Sequence, residues 1–142
     1  MKLLKTILSV LILFSLSLSS CGDADSGGCD PDIICYTQRP TALFAKLQLT
    51  VDPSLDSVVV KYYKGNHDDE DNELLMNFIT NQDVEYIESP VGYNYSAVAA
   101  YYFPDKTVKV YDGHRIRARS FTNCETTCWD WDDIEFELEL KE

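Results

Sequence analysis

Hydrophobic and polar residues alternate with a period of two along most of the chain. Ala45, Leu47, Leu49 and Val51 fall on one parity and Lys46, Gln48 and Thr50 on the other. Val58, Val60 and Tyr62 repeat the pattern after Asp52-Pro53-Ser54, so these are two half-buried strands joined by a turn. Six further segments follow, rich in β-branched and aromatic residues: 74–80, 84–87, 93–103, 107–111, 115–123 and 129–140. Asn81-Gln82, Ser89-Pro90, Pro104-Asp105 and Asp112-Gly113 separate them as turns, the last with Gly supplying a positive φ. Eight strands, short turns, no amphipathic helix and no internal repeat predict an all-β fold. The expected form is an antiparallel β-sandwich or small barrel over 41–142, immunoglobulin-like or transthyretin-like.

The last two segments can be paired residue by residue. With the reversal centred on Thr126, Cys124 faces Cys128, Ala118 faces Ile134 and Ile116 faces Phe136. The other face then opposes Arg119 to Asp133, Arg117 to Glu135 and Arg115 to Glu137. A slip of one residue would set apolar against charged at each position, so this register is the expected one.

The first 20 residues do not belong to that domain. Lys2 and Lys5 precede an apolar run from Thr6 to Leu18, too short to span a bilayer, which needs about 20 apolar residues. This is the h-region of a signal peptide. It ends in Leu18-Ser19-Ser20-Cys21-Gly22, which resembles the lipobox of bacterial lipoproteins. The resemblance implies cleavage before Cys21, acylation of that residue (palmitate or a similar chain) and anchoring to a membrane without spanning it. Gly22 stands where enterobacterial inner-membrane lipoproteins carry Asp, which implies outer-membrane residence. Asp23-Ala24-Asp25-Ser26 is similar to the acidic tethers of surface-exposed Bacteroidetes lipoproteins, and Gly27-Gly28 extends it. The expected division is therefore 1–20 signal peptide, 21–40 lipidated cysteine and flexible tether, and 41–142 sandwich.

With Cys21 assigned to lipid, Cys29, Cys35, Cys124 and Cys128 remain, an even number in an exported chain. Neither spacing is the short CxxC of a zinc knuckle, so two disulfides are expected. The hairpin register favours Cys124 with Cys128 and Cys29 with Cys35. The alternative carries Cys29 and Cys35 across to the final hairpin, and spacing alone does not choose between them.

The chain has 24 acidic and 12 basic residues, a formal net charge of -12, and an apolar fraction of 45% that supports a packed core. The negative charge argues against nucleic acid as a partner. Removing 1–20 takes two lysines and no acid, leaving 10 basic against 24 acidic residues. Within this acidic background Arg115, Arg117 and Arg119 form a basic stripe suited to a carboxylate, sulfate or phosphate, unless Glu135, Glu137 and Asp133 neutralise it. Phe121, Trp129 and Trp131, with Arg119 beside them, form an aromatic cluster that strict alternation exposes, a surface for stacking a sugar ring or anchoring a partner. A bulge near the cysteines would instead turn the tryptophans inward. The acidic run 66–73 lacks the sixth-position Gly and terminal Glu of an EF-hand loop and is expected as a solvated connection. No nucleophile elbow, zinc-protease helix, phosphate loop or dinucleotide fingerprint occurs, so neither an enzyme nor a bound cofactor or metal is expected. The expected role is a lipid-anchored envelope protein that binds a glycan or small ligand, the alternative an accessory subunit docking onto another outer-membrane protein.

Overall fold

The structure is a computed structural model that describes residues 29–55 and 57–141. The expected signal peptide, the lipobox-like segment with Cys21 and the Asp23–Gly28 stretch lie outside the described residues. Nine strands form: β1 (Ala42–Gln48), β2 (Val58–Lys64), β3 (Glu73–Thr80), β4 (Val84–Pro90), β5 (Asn94–Tyr102), β6 (Thr107–Arg115), β7 (Arg119–Asn123), β8 (Thr126–Asp130) and β9 (Ile134–Glu137). A three-stranded sheet, β4-β1-β9, faces a four-stranded one, β3-β2-β5-β6, while β7 and β8 make a separate hairpin. All pairings are antiparallel except β1 with β9.

The alternation read from sequence is what builds the core. Leu43, Ala45, Leu47 and Leu49 point inward from β1 and its extension, and Val58, Val60 and Tyr62 from β2. Tyr95, Ala97, Ala99 and Tyr101 complete the opposing layer from β5. Three tyrosines here carry a polar tip into the core, and each tip is satisfied. The Tyr62 hydroxyl lies 2.8 Å from Ser89 Oγ, joining the two sheets. Tyr101 donates to the Leu138 carbonyl at 2.7 Å and accepts from the Thr50 N–H at 3.1 Å. Tyr95, at the start of β5, donates to the Pro90 carbonyl at 2.8 Å. That last bond ties the start of β5 back to the end of β4, across the connection between the two sheets. The edge beside β1 is taken by β9, from the far end of the sequence, lying parallel.

This arrangement corrects the expected last hairpin. Ile134 and Phe136 do not face Ala118 and Ile116; they lie beside Ala45 and Leu47 of β1. Ile116 is fully buried but stays with β5, its N–H bonded to the Tyr93 carbonyl at 3.0 Å. The segment expected as 115–123 is therefore split between the end of β6 and β7, and the one expected as 129–140 between β8 and β9. Any inward-facing apolar parity can dock on any strand with the same parity, so the pattern fixed the face and not the partner. Asp112-Gly113 is also not a turn. It lies inside β6, where a Cβ on Gly113 would sit 3.4 Å from the Tyr95 carbonyl oxygen. Asp112 bonds the Gly113 N–H at 2.7 Å and the Glu137 N–H at 2.9 Å, tying β6 to β9 across the open end of the sandwich.

Candidate functional site

The site is organised by the β7–β8 hairpin and the segment that precedes β1. The hairpin turns on Cys124 and Glu125, both at positive φ (52° and 64°), the geometry of a two-residue type I′ turn. Phe121 therefore pairs with Cys128, Ser120 with Trp129 and Arg119 with Asp130. The expected reversal about Thr126 is displaced toward the amino terminus, because Cys124 and Glu125 take the two positive φ angles of a tight two-residue turn.

Cys124, at the tip, is bonded to Cys29, and Cys128 to Cys35. The four cysteines form two disulfides as expected, in the crossed pairing and not in the favoured Cys124–Cys128 and Cys29–Cys35 pairing. With the tip at Cys124 itself, Cys128 faces Phe121, and the amino-terminal segment lies within reach along β8. The described part of the expected tether, 29–40, is accordingly held to the domain. Asp30 and Asn123 exchange two hydrogen bonds at 3.1 and 3.0 Å, and the Trp129 N–H donates to the Tyr36 carbonyl at 2.9 Å.

The clamp creates an open groove of about 610 Å³ lined by Ile33, Ile34, Tyr36, Phe121, Asp130 and Trp131. Tyr36 and Trp131 are in contact, with ring centroids 4.7 Å apart and planes inclined at 39°. Trp131 is half-buried, one side against the core and the other lining the groove. Ile34 is 72% exposed, an unusual position for a large apolar side chain beside three aromatic rings. Asp130 supplies a carboxylate at the groove's edge.

Of the four residues expected to bind ligand, Phe121 and Trp131 come together here. Trp129 does not join them. Its place in the register sends it to the opposite face of the hairpin, where the Arg39 guanidinium sits 5.2 Å from its ring centroid. Arg119 is exposed and paired with Asp132 at 2.6 Å. Tyr36, Ile33 and Ile34 carry half of the groove and escaped the sequence reading, because only the crossed disulfides bring them to Trp131.

The acids expected to neutralise the arginine stripe are elsewhere. Glu135, on β9, pairs with Lys46 at 2.9 Å and accepts from Gln48 at 2.8 Å, and the Lys46 bond holds its carboxyl below the usual carboxylate range. Glu137 takes Lys141 at 3.4 Å. Arg115, Arg117 and Arg119 line a smaller hollow of about 240 Å³ with Asp132 and Ile134. Among the described residues Arg115 and Arg117 make no ion pair. The acidic run forms a turn-rich loop, and no group of His, Cys, Asp and Glu suited to a metal ion occurs among the described residues. His114 bonds Asp112 at 3.1 Å and rests edge-on against Phe136 at 5.0 Å, a packing arrangement at the same open end.

No protein-family model, curated protein or solved structure matches this chain.

Proposed function

We propose that the protein is a lipid-anchored, non-enzymatic component of a bacterial outer membrane whose aromatic groove binds a glycan or another small ring-bearing ligand. The observation that carries the reading is the open groove walled by Trp131, Tyr36 and Phe121 with Asp130 at its edge. Aromatic faces stack on the C–H face of a sugar ring, and a carboxylate accepts from its hydroxyls. The lipobox supports the location: Cys21→Ala should abolish metabolic labelling with a fatty acid, and equal labelling of both forms would refute lipidation.

The binding reading is tested by tryptophan fluorescence during titration with a panel of glycans. Trp131→Ala should remove the response, and Trp129→Ala, altering the ring under Arg39, should leave the affinity unchanged. Loss in both variants, or in neither, would dismiss the groove.

A second reading, an accessory subunit of an envelope complex, has its own observation. The edge strand β3 exposes Leu74, Leu75, Met76 and Ile79, and an apolar edge is a template for strand addition by a partner. Under that reading, Met76→Lys would lose a stoichiometric partner from solubilised envelope while Trp131→Ala would keep it.

A further inference from the structure

The outer face of the four-stranded sheet carries a second hollow, on strands that take no part in the aromatic groove. Strand β5 is buried on both faces, although its outward residues face away from the core. Val98 and Ala100 form a low floor there, with Val59 of β2 opposite Ala100. Tyr63, Tyr102 and Tyr111 stand around that floor and enclose about 450 Å³. Small residues at the centre and tall rings at the margin give a concave face where a twisted sheet would otherwise be convex or flat.

The loop between β2 and β3 closes one end. Ser96 donates to the Gly65 carbonyl at 2.8 Å and Asn72 to the His67 carbonyl at 2.9 Å, which fixes the loop over the sheet. His67 then lies with its ring 4.7 Å from that of Tyr111, its Nε2 3.0 Å from Asp68. The stretch expected as a plain solvated connection thus supplies a wall.

Two features distinguish this hollow from an ordinary sheet surface. The core tyrosines, Tyr62, Tyr95 and Tyr101, all have bonded hydroxyls, whereas those of Tyr63, Tyr102 and Tyr111 make no hydrogen bond among the described residues. They present both a ring face and a free donor and acceptor. In addition, Lys61 lies beside Val98 on one side of the floor and Lys109 beside Ala100 on the other. Neither makes an ion pair among the described residues, in a chain where acids outnumber bases two to one. The lysines sit on strands two apart, about 10 Å across the sheet.

We infer that this hollow binds an acidic saccharide, its ring faces on the tyrosines and its carboxylates on Lys61 and Lys109. The volume suits one or two sugar rings and falls within the ordinary range of ligand sites, about 300–1,000 Å³. A carboxylate fits the two lysines, sugar hydroxyls match the free phenols, and C–H faces match the rings. One acid lines the hollow, Asp68 on the loop wall beside His67, against the two lysines on the floor's margins, and the rest of the chain's negative charge acts at longer range. At 0.15 M salt that repulsion is screened beyond about 8 Å, whereas the lysines act in contact.

The site is independent of the Trp131 groove, and the test separates them. The full disulfide-bonded chain is titrated calorimetrically with tri-galacturonate and with the neutral galactose trimer. The acidic trimer should bind about tenfold more tightly, the scale of one or two charge-assisted hydrogen bonds. Lys61→Ala and Lys109→Ala should each weaken it about threefold, which together make up the tenfold preference, and Lys109→Arg should restore it. Tyr111→Ala should weaken both trimers, and Trp131→Ala should change neither. Lys61, Lys109 and Tyr111 are exposed and Trp131 is half-buried, so thermal unfolding of each variant is measured to check that the fold is intact. Equal affinity for the two trimers, absence of binding to the acidic one, or binding lost in Trp131→Ala and kept in both lysine variants would overturn the inference.

Discussion

Tyr36 rests against Trp131 with ring centroids 4.7 Å apart, and the residue before it is disulfide-bonded to Cys128, three positions before Trp131. The wall of the groove is thus fixed covalently to its floor. The bridges span nearly equal separations, 95 and 93 residues, so either one alone closes the long loop. Removing Cys35–Cys128 by paired serine substitution opens only the small ring between the bridges, worth about 3 kcal/mol in a chain-entropy account. Removing both should cost about 7 kcal/mol in the same account. Urea unfolding would measure this, and the Cys35→Ser, Cys128→Ser pair should also shift Trp131 emission to the red. Equal losses from single and double removal would show that the bridges do not act as a nested pair.

Phe136 is fully buried on β9, with its ring 5.7 Å from Tyr62 and 5.0 Å from His114. Phe136→Ala should destabilise the protein by about 3–5 kcal/mol through lost burial and the cavity left behind. The cost depends on β9 pairing with β1 at the edge of the three-stranded sheet. A loss below about 1 kcal/mol in urea unfolding would mean that β9 is not held there.

The core tyrosines give stability a dependence on alkaline pH. Burial pushes the Tyr62 hydroxyl up to about 12, only partly offset by its bond to Ser89. In the unfolded chain it ionises near 10, so between about pH 10 and 12 the folded state holds a proton that the unfolded state has lost. This stabilisation is complete below pH 10 and declines as pH rises to 12, by about 1.4 kcal/mol per pH unit. Tyr95 and Tyr101 are raised in the same direction by burial. Tyr62→Phe should flatten the decline without abolishing it. An unchanged slope in urea unfolding across that range would rule out Tyr62 as a contributor.

The sandwich was legible in the sequence because a period of two directly encodes which side of a strand is buried. Ala45, Leu47 and Val60 share the apolar parity on that ground alone, and all three are buried. Strand partners were not legible, since Ile134 and Phe136 fit β1 as well as they fit the end of β6. The same ambiguity governed the site. Phe121 and Trp131 were visible as an aromatic cluster, but Tyr36 is 95 residues from Trp131 and joins it through disulfides whose connectivity no spacing reveals. Trp129 was misplaced because a turn at Cys124-Glu125 reverses the parity of everything counted from Thr126. The outer hollow left no periodic signal, because β5 is apolar on both parities over Ala97-Val98-Ala99-Ala100.

That turn makes the register testable at a single position. Glu125 has φ 64° without the conformational freedom of glycine, in the second central place of a turn that favours Asn-Gly. An L-residue there carries a penalty of about 1 kcal/mol from its Cβ against the neighbouring carbonyl. Glu125→Gly should therefore raise stability by about 0.5–1 kcal/mol, the relief of strain being partly offset by a looser unfolded chain. Glu125→Ala keeps the Cβ and should not stabilise, which separates backbone strain from the loss of one acid in a chain of net charge -12. With the reversal at Thr126 instead, Glu125 would need no positive φ, and glycine there would bring no gain over alanine. Thermal unfolding of the two variants decides between the registers, and with them whether Phe121 faces Cys128.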